Sequence, residues 1–251
     1  MKIVFLAVDD EFAGSMQRPI YTHHPEWIVG SVISTRSIYR KSPLEALWFV
    51  LRKSGFRYGA EMFRMKIVRR LSGAHDRPSP SQLAKEHRVP QHYCEDINDE
   101  KSLEQIRAWS PDIVIATNFS HYVGAKARAV AARGTWNLHK SYLPHFRGMA
   151  PSFYALLNGE KRTGVTLHEV AKGIDTGSIL CQRAVDIEPD DTVYTLNQKT
   201  SEAGGQMLAE FLESSDRETI ECRPQPDGEW PYYTYPSPDD VRRFLRKGLR
   251  F

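Results

Sequence analysis

The strongest constraint on folding is an alternation of short apolar runs with helical stretches. Ile3 to Val8 is uninterrupted apolar sequence, as expected of a strand covered on both faces of a parallel sheet. Trp27 to Ser34 reads as a second strand. The helical stretch Ser102 to Trp109 leads through Pro111 into a third, Asp112 to Ala116. Val123 to Ala132, rich in alanine, predicts a helix ended by Gly134, and Gly134 to His139 predicts a further strand. This order implies an α/β fold: a doubly wound, Rossmann-like parallel or mixed sheet, with its ligand site at the carboxyl ends of the strands. Thr163 to Glu169 and Gly177 to Ile187 resemble an antiparallel pair. Asp191 is expected to cap a helix running to about Glu213.

Composition sets limits on function. A chain of 251 residues with 41% hydrophobic content can bury one good core and carry an appendage. The formal charge of +3 does not mark the whole protein as a nucleic-acid binder. Its three cysteines, Cys94, Cys181 and Cys222, are scattered, which argues against a disulfide framework and a zinc site, so no metal is expected. His23-His24 reads as surface loop. The absence of a long apolar run or signal peptide makes a cytoplasmic protein the expectation.

Chemistry concentrates between Asn137 and Asp175. Residues two apart in a strand share a face, so Asn137 and His139 are expected side by side. An amide can donate to an oxyanion, and an imidazole can donate or accept a proton. Asp175 follows in Gly173-Ile174-Asp175-Thr176-Gly177, where flanking glycines permit an unusual backbone shape. Any one of these residues alone would read as a turn or a satisfied core position. Together they are the parts needed to move an acyl group.

The wider pattern is Asn137-Leu138-His139, Ser141-Tyr142-Leu143-Pro144, Arg147-Gly148, Pro151 and Asp175-Thr176-Gly177. It resembles the formyltransferases that use 10-formyltetrahydrofolate, which act on glycinamide ribonucleotide, methionyl-tRNA or amino sugars. The match is densest from about Thr117 to Leu196. This chain departs from the pattern with Tyr142 for a leucine, Phe146 where tyrosine or tryptophan is common, and Tyr154 where tryptophan is frequent.

The resemblance implies direct acyl transfer, with 10-formyltetrahydrofolate as donor and Asn137, His139 and Asp175 as catalytic residues. It implies bracing roles for Ser141 and Arg147. It also implies a folate site flanked by Phe119, Ser120, His121, Tyr122 and Val123 on one side and by Val170, Gly173 and Ile174 on the other.

Residues 42–88 are unusual. Ser42-Pro43-Leu44-Glu45 combines an N-cap, a proline at the first helical position and a capping-box glutamate. That helix is expected to reach Lys53-Ser54 and stop at Gly55. A second, Glu61 to Leu71, carries Met62, Met65 and Val68 and is followed by Ser72-Gly73. A third spans Ser79 to His87. From Arg36 to Arg70 there are ten Lys or Arg and two acids, Glu45 and Glu61. The segment reads as an insertion whose apolar face packs on the core or on a second copy in a homodimer, with its charges solvated. The alternative is a basic hairpin that contacts an anionic partner: a nucleotide-linked substrate, an RNA backbone or a membrane surface.

The acceptor is read from the flanks. Asp9-Asp10-Glu11-Phe12-Ala13-Gly14 reads as an acidic loop where ribose-phosphate-binding relatives have a Gly/Ser/Asn-rich one, and its carboxylates would repel a phosphate. After Glu213 fewer than forty residues remain, too few for the C-terminal barrel of about a hundred residues that the tRNA enzyme carries. The expected division is a catalytic domain over 1–213 and a short aromatic, proline-rich extension over 214–251, with a short helix from Pro238 to Gly248. The expected acceptor is a small-molecule amine, an amino sugar on a nucleotide carrier. A methionyl-tRNA-type acceptor and a 10-formyltetrahydrofolate hydrolase are the alternatives.

Overall fold

The computed structural model describes the backbone of all residues except 37, 39, 40, 72–76 and 215–221, and side chains except at those positions, 43 and 65–71. The expected contributions of Met65, Val68 and Ser72-Gly73 therefore lie outside the described residues.

The chain begins with β1 (Ile3–Val8), α1 (Glu11–His23), β2 (Ile28–Ser34), α2 (Pro43–Leu71), α3 (Pro80–Glu86) and β3 (Gln91–Cys94). Next come α4 (Glu100–Trp109), β4 (Ile113–Thr117), α5 (Ala125–Arg128), β5 (Thr135–His139), β6 (Arg147–Gly148) and α6 (Pro151–Asn158). The remainder is β7 (Arg162–Glu169), β8 (Ile179–Asp186), α7 (Val193–Ser214), β9 (Tyr232–Tyr233) and α8 (Pro238–Arg246).

Seven strands form one sheet in the order β3-β2-β1-β4-β5-β7-β8. The first five run parallel, and β7 and β8 add antiparallel at one edge. The chain thus winds outward in one direction from β1 and in the other from β4. Strand order reverses between those two strands, which opens a crevice at their carboxyl ends.

Strand alternation divides the core. Ile3 and Phe5 point to one face, where Met16 and Ile20 of α1 and Leu208 and Leu212 of α7 cover them. Val4 and Leu6 point to the other, against Leu103 and Ile106 of α4 and Ala127 of α5. Helices α1 and α7 approach closely because Gly205 has no side chain: a Cβ there would sit 2.6 Å from the Ser15 carbonyl oxygen. A third apolar cluster joins Tyr58 of α2, Phe153 of α6, Leu196 of α7, Phe244 of α8 and the terminal Phe251.

Several local expectations change. The acidic segment after β1 is the start of a helix: the Asp10 carboxylate accepts from Ala13 N–H at 2.8 Å and caps α1. His23 ends that helix, and His24 stacks on Trp27 at 3.7 Å between ring centres and pairs with Glu213. The helix expected over 123–132 is confined to α5, and the Thr135 hydroxyl donates to the Ala127 and Arg128 carbonyls at its end. Thr192 caps α7 by accepting from Thr195 N–H, while Asp191 accepts from Thr195 Oγ1 and Lys199 Nζ. Gly55, with φ +80° and ψ 168°, leaves the helical region, so α2 is two helices that meet at this residue, where the sequence places the stop.

Candidate active site

Strand β5 lies in the sheet interior between β4 and β7. Trp136 and Leu138 enter the core on its α1/α7 side, which leaves Asn137 and His139 on the opposite face, as the period of two requires. In the antiparallel register Asn137 stands opposite His168 of β7. The loop after β7 carries Asp175 back over this face in the left-handed conformation, φ +52°.

These four side chains converge. Asp175 Oδ2 lies 3.6 Å from His139 Nδ1, and its Oδ1 lies 3.5 Å from His168 Nε2. The Asn137 amide nitrogen donates to His168 Nε2 at 3.2 Å and to Asp175 Oδ1 at 3.4 Å. Gly148 N–H donates to Asp175 Oδ2 at 2.9 Å. His139 and His168 are buried.

The hydrogen bonds assign the tautomers. A carbonyl can only accept, so His139 Nε2 carries the hydrogen it gives to the Phe146 carbonyl at 3.0 Å. Its Nδ1, facing Asp175, is then the nitrogen that titrates. By the same argument His168 donates from Nδ1 to the Glu169 carbonyl at 2.7 Å, and its Nε2 accepts from Asn137. Phe146 itself has φ +55°, a conformation that costs about 1–3 kcal/mol and recurs where backbone is held for function.

Electrostatics keep the carboxylate charged. Burial pushes the Asp175 carboxyl up, but His139, His168 and Gly148 N–H outweigh it and hold it well below the usual carboxylate range. Burial lowers the affinity of His139 for a proton, with Asp175 and the Phe146 carbonyl opposing.

The loop after β5 is braced at every turn. Ser141 Oγ donates to the His145 carbonyl, Thr166 Oγ1 donates to the Ser141 carbonyl, and Gln182 donates to the Leu143 carbonyl. The Leu143–Pro144 bond is cis. Arg147 donates to Gln225, whose amide in turn donates to the Asp175 and Gly177 carbonyls. Strand β9 pairs with β6, and Tyr233 packs on Tyr154 and Phe146.

The residues expected around a folate separate. Tyr122 is exposed and donates to the Lys172 carbonyl at 3.2 Å, linking the two flanking loops; Gly173 and Ile174 are exposed beside it. Phe119 and Val170 are half-buried, and Ser120 donates to the Arg36 carbonyl. His121 and Val123 turn inward: Val123 joins the core, and His121 accepts from Ile97 N–H at Nδ1 and donates to Ser34 Oγ at 2.6 Å from Nε2. His168 and Gln225 escape sequence reading. The cross-strand partnership of His168 depends on register, and Gln225 lies fifty residues from Asp175 with no local motif to mark it.

Residues 65–212 match the family described as formyl transferase, a span that holds the whole Asn137-to-Asp175 constellation. The chain belongs to the formyl transferase family. A methionyl-tRNA formyltransferase of Thermotoga sp. (strain RQ2) is 36% identical over 149 residues, 59% of this chain and 48% of that protein. This formyl transferase chain thus spans about half the length of the curated relatives it matches. An N-formyltransferase from Helicobacter canadensis, solved with folinic acid and dTDP-3-aminofucose, superimposes with a TM-score of 0.65 at 18% identity, covering 99% of this chain and 82% of its own. Glycinamide ribonucleotide transformylase 1 from Symbiobacterium toebii gives 0.60 at 17% identity, covering 90% and 94%. At these identities the two structures establish the fold.

Proposed function

We propose that this formyl transferase moves a formyl group from 10-formyltetrahydrofolate to a primary amine, with Asn137, His139 and Asp175 as its catalytic residues. The observation that carries this reading is the convergence of an amide, an imidazole and a carboxylate held well below its usual range at the carboxyl end of β5. We assign catalysis to residues 1–213 and treat 214–251 as an extension that buttresses the site.

The folate co-substrate supplies the formyl group. As the amine forms its new C–N bond and the bond to the folate nitrogen breaks, charge builds on the formyl oxygen and the amine loses a proton. Asn137 meets that charge by exchanging its long 3.4 Å hydrogen bond to Asp175 for one to the oxygen. A single donor of this kind is worth about 3–4 kcal/mol. His139 relays the proton at Nδ1, because its Nε2 hydrogen is committed to the Phe146 carbonyl. Asp175 orients that ring, and the two residues pass the amine proton, directly or through water, to the folate nitrogen as its bond to the formyl carbon breaks. Proton transfer of this type contributes about 10²–10⁴-fold. The folate lies between the loops at 119–123 and 170–174, where Tyr122, Gly173 and Ile174 are accessible.

For the acceptor we favour an amino sugar on a nucleotide carrier. The N-terminus of α1, where a ribose phosphate would be cradled, is filled by the capping Asp10 carboxylate, with Asp9 bonded to Ser81 beside it. The 36% identity to a methionyl-tRNA formyltransferase supports a second reading, an aminoacyl-tRNA acceptor.

The test is incubation with 10-formyltetrahydrofolate and a panel of amines. Formylated nucleotide amino sugar is the expected product. Product with charged tRNA alone selects the second reading, formate without an acceptor indicates a hydrolase, and no turnover with any of them rejects transfer.

A further inference from the structure

Helix α2 carries two different faces. Ala46, Val50 and Ser54 before Gly55, and Tyr58 and Met62 after it, turn toward the body: Tyr58 is part of the third apolar cluster, and Val50 and Met62 pack on it. A second apolar stripe points away. Before the kink it is Leu44, Leu47 and Trp48, spaced i, i+3, i+4; after it, Phe56, Ala60 and Phe63, spaced i, i+4, i+7. The five large side chains of this stripe are between 54% and 80% exposed. Such residues scattered singly need no explanation, but five of them on two adjoining helices do.

Cations flank the stripe. Arg52, Lys53, Arg57 and Arg64 are all exposed, Arg64 paired with Glu61 at 2.8 Å, and in the sequence from 36 to 70 basic residues outnumber acids ten to two. A cleft of about 480 Å³ opens beside Phe56 between α2 and α8, with Arg57, Glu61, Arg242 and Arg246 on its walls, Arg242 paired with Asp239. Leucine, tryptophan and phenylalanine on one face, bordered by lysine and arginine, is the pattern of a helix that lies in a lipid–water interface. An RNA backbone would use the cations and could stack on rings, but Leu44 and Leu47 would gain nothing from it. Among the described residues no helix is long and apolar enough to cross a membrane, so the geometry is that of lying on a surface.

We propose that the outward stripe of α2, from Leu44 to Phe63 with its flanking arginines, docks this protein on an anionic phospholipid surface. Apolar side chains enter the headgroup boundary while the cations meet lipid phosphates, each charge adding attraction that salt weakens.

The experiment is co-sedimentation of the full chain with vesicles of phosphatidylcholine alone and of phosphatidylcholine with phosphatidylglycerol. Binding is expected to the anionic vesicles, to weaken as salt rises, and to fall about tenfold or more in Arg52→Gln/Arg57→Gln. Trp48→Glu/Phe56→Glu should abolish it with unchanged circular dichroism and thermal midpoint, since both side chains are exposed. No preference of the wild type for anionic vesicles, or full binding by either double variant, overturns the proposal. So does a wild-type dimer in light scattering that becomes a monomer in Trp48→Glu/Phe56→Glu without vesicle binding, because a second copy then covers the stripe. Retention of RNA without vesicle binding also overturns it.

Discussion

The side-chain amide of Gln225 donates to the main-chain carbonyl of Asp175 at 2.8 Å and, with its other hydrogen, to that of Gly177 at 2.9 Å. One side chain from the C-terminal segment thus fixes both sides of a loop whose central residue has φ +52°. Its own oxygen is held by Arg147. Gln225→Ala removes these bonds, each worth about 0.5–1.5 kcal/mol. We expect a small fall in thermal midpoint and a loss of about tenfold to hundredfold in kcat with little change in KM, because carboxylate placement matters more in the transition state. Steady-state kinetics beside a melting curve check this; unchanged kcat would leave Gln225 a purely structural residue.

Removing the reacting groups should separate stability from turnover. His139→Ala and Asp175→Ala are expected to abolish formyl transfer while leaving a folded protein. Asn137→Ala should retain about 10⁻²–10⁻³ of wild-type kcat, the usual result of losing one oxyanion donor. Single-turnover formyl transfer with a circular dichroism control reads both quantities, and near-normal turnover in His139→Ala and Asp175→Ala would remove them from the mechanism.

Gly148 has no room for a side chain. Its φ is +95°, and a Cβ would meet the Tyr233 carbonyl oxygen at 2.2 Å and the Tyr232 ring at 2.6 Å. Gly148→Ala must push β9 from β6 and disturb the N–H that holds Asp175. Strain of this kind, together with the lost pairing, is expected to cost about 2–4 kcal/mol. Urea denaturation measures it.

The buried His121 predicts an acid limb in stability. Burial lowers its pKa from 6.5 to about 4. A depressed pKa means the unfolded chain takes up the proton first. The stability is therefore whole above pH 6.5 and is lost as pH falls toward 4. From these values His121 accounts for about 2 kcal/mol of stability lost between pH 7 and pH 5. Urea midpoints at the two pH values, in wild type and His121→Asn, test this; an equal loss in both would refute it.

Much of this was readable from residue order. The apolar runs of β1, β2 and β4 and the two-residue spacing of Asn137 and His139 are local facts, and the strands form as those facts require. Local signals misled where side chains act on the backbone. Asp10 looked like part of an acidic loop until its carboxylate proved to cap α1. The helix expected over 123–132 shortens because Thr135, beyond its end, takes two of its carbonyls.

The sequence by itself determined the α/β class, the amide–imidazole pair on one face of β5 and a carboxylate in a glycine-flanked loop, because strand period and backbone freedom are properties of neighbouring residues. Only the tertiary structure decided that His168 holds the Asn137 amide, that the Phe146 carbonyl selects the His139 tautomer and that Gln225 clamps the Asp175 loop. Those contacts follow from strand register and from the return of the chain's last segment over the site, which depend on the whole sheet being assembled.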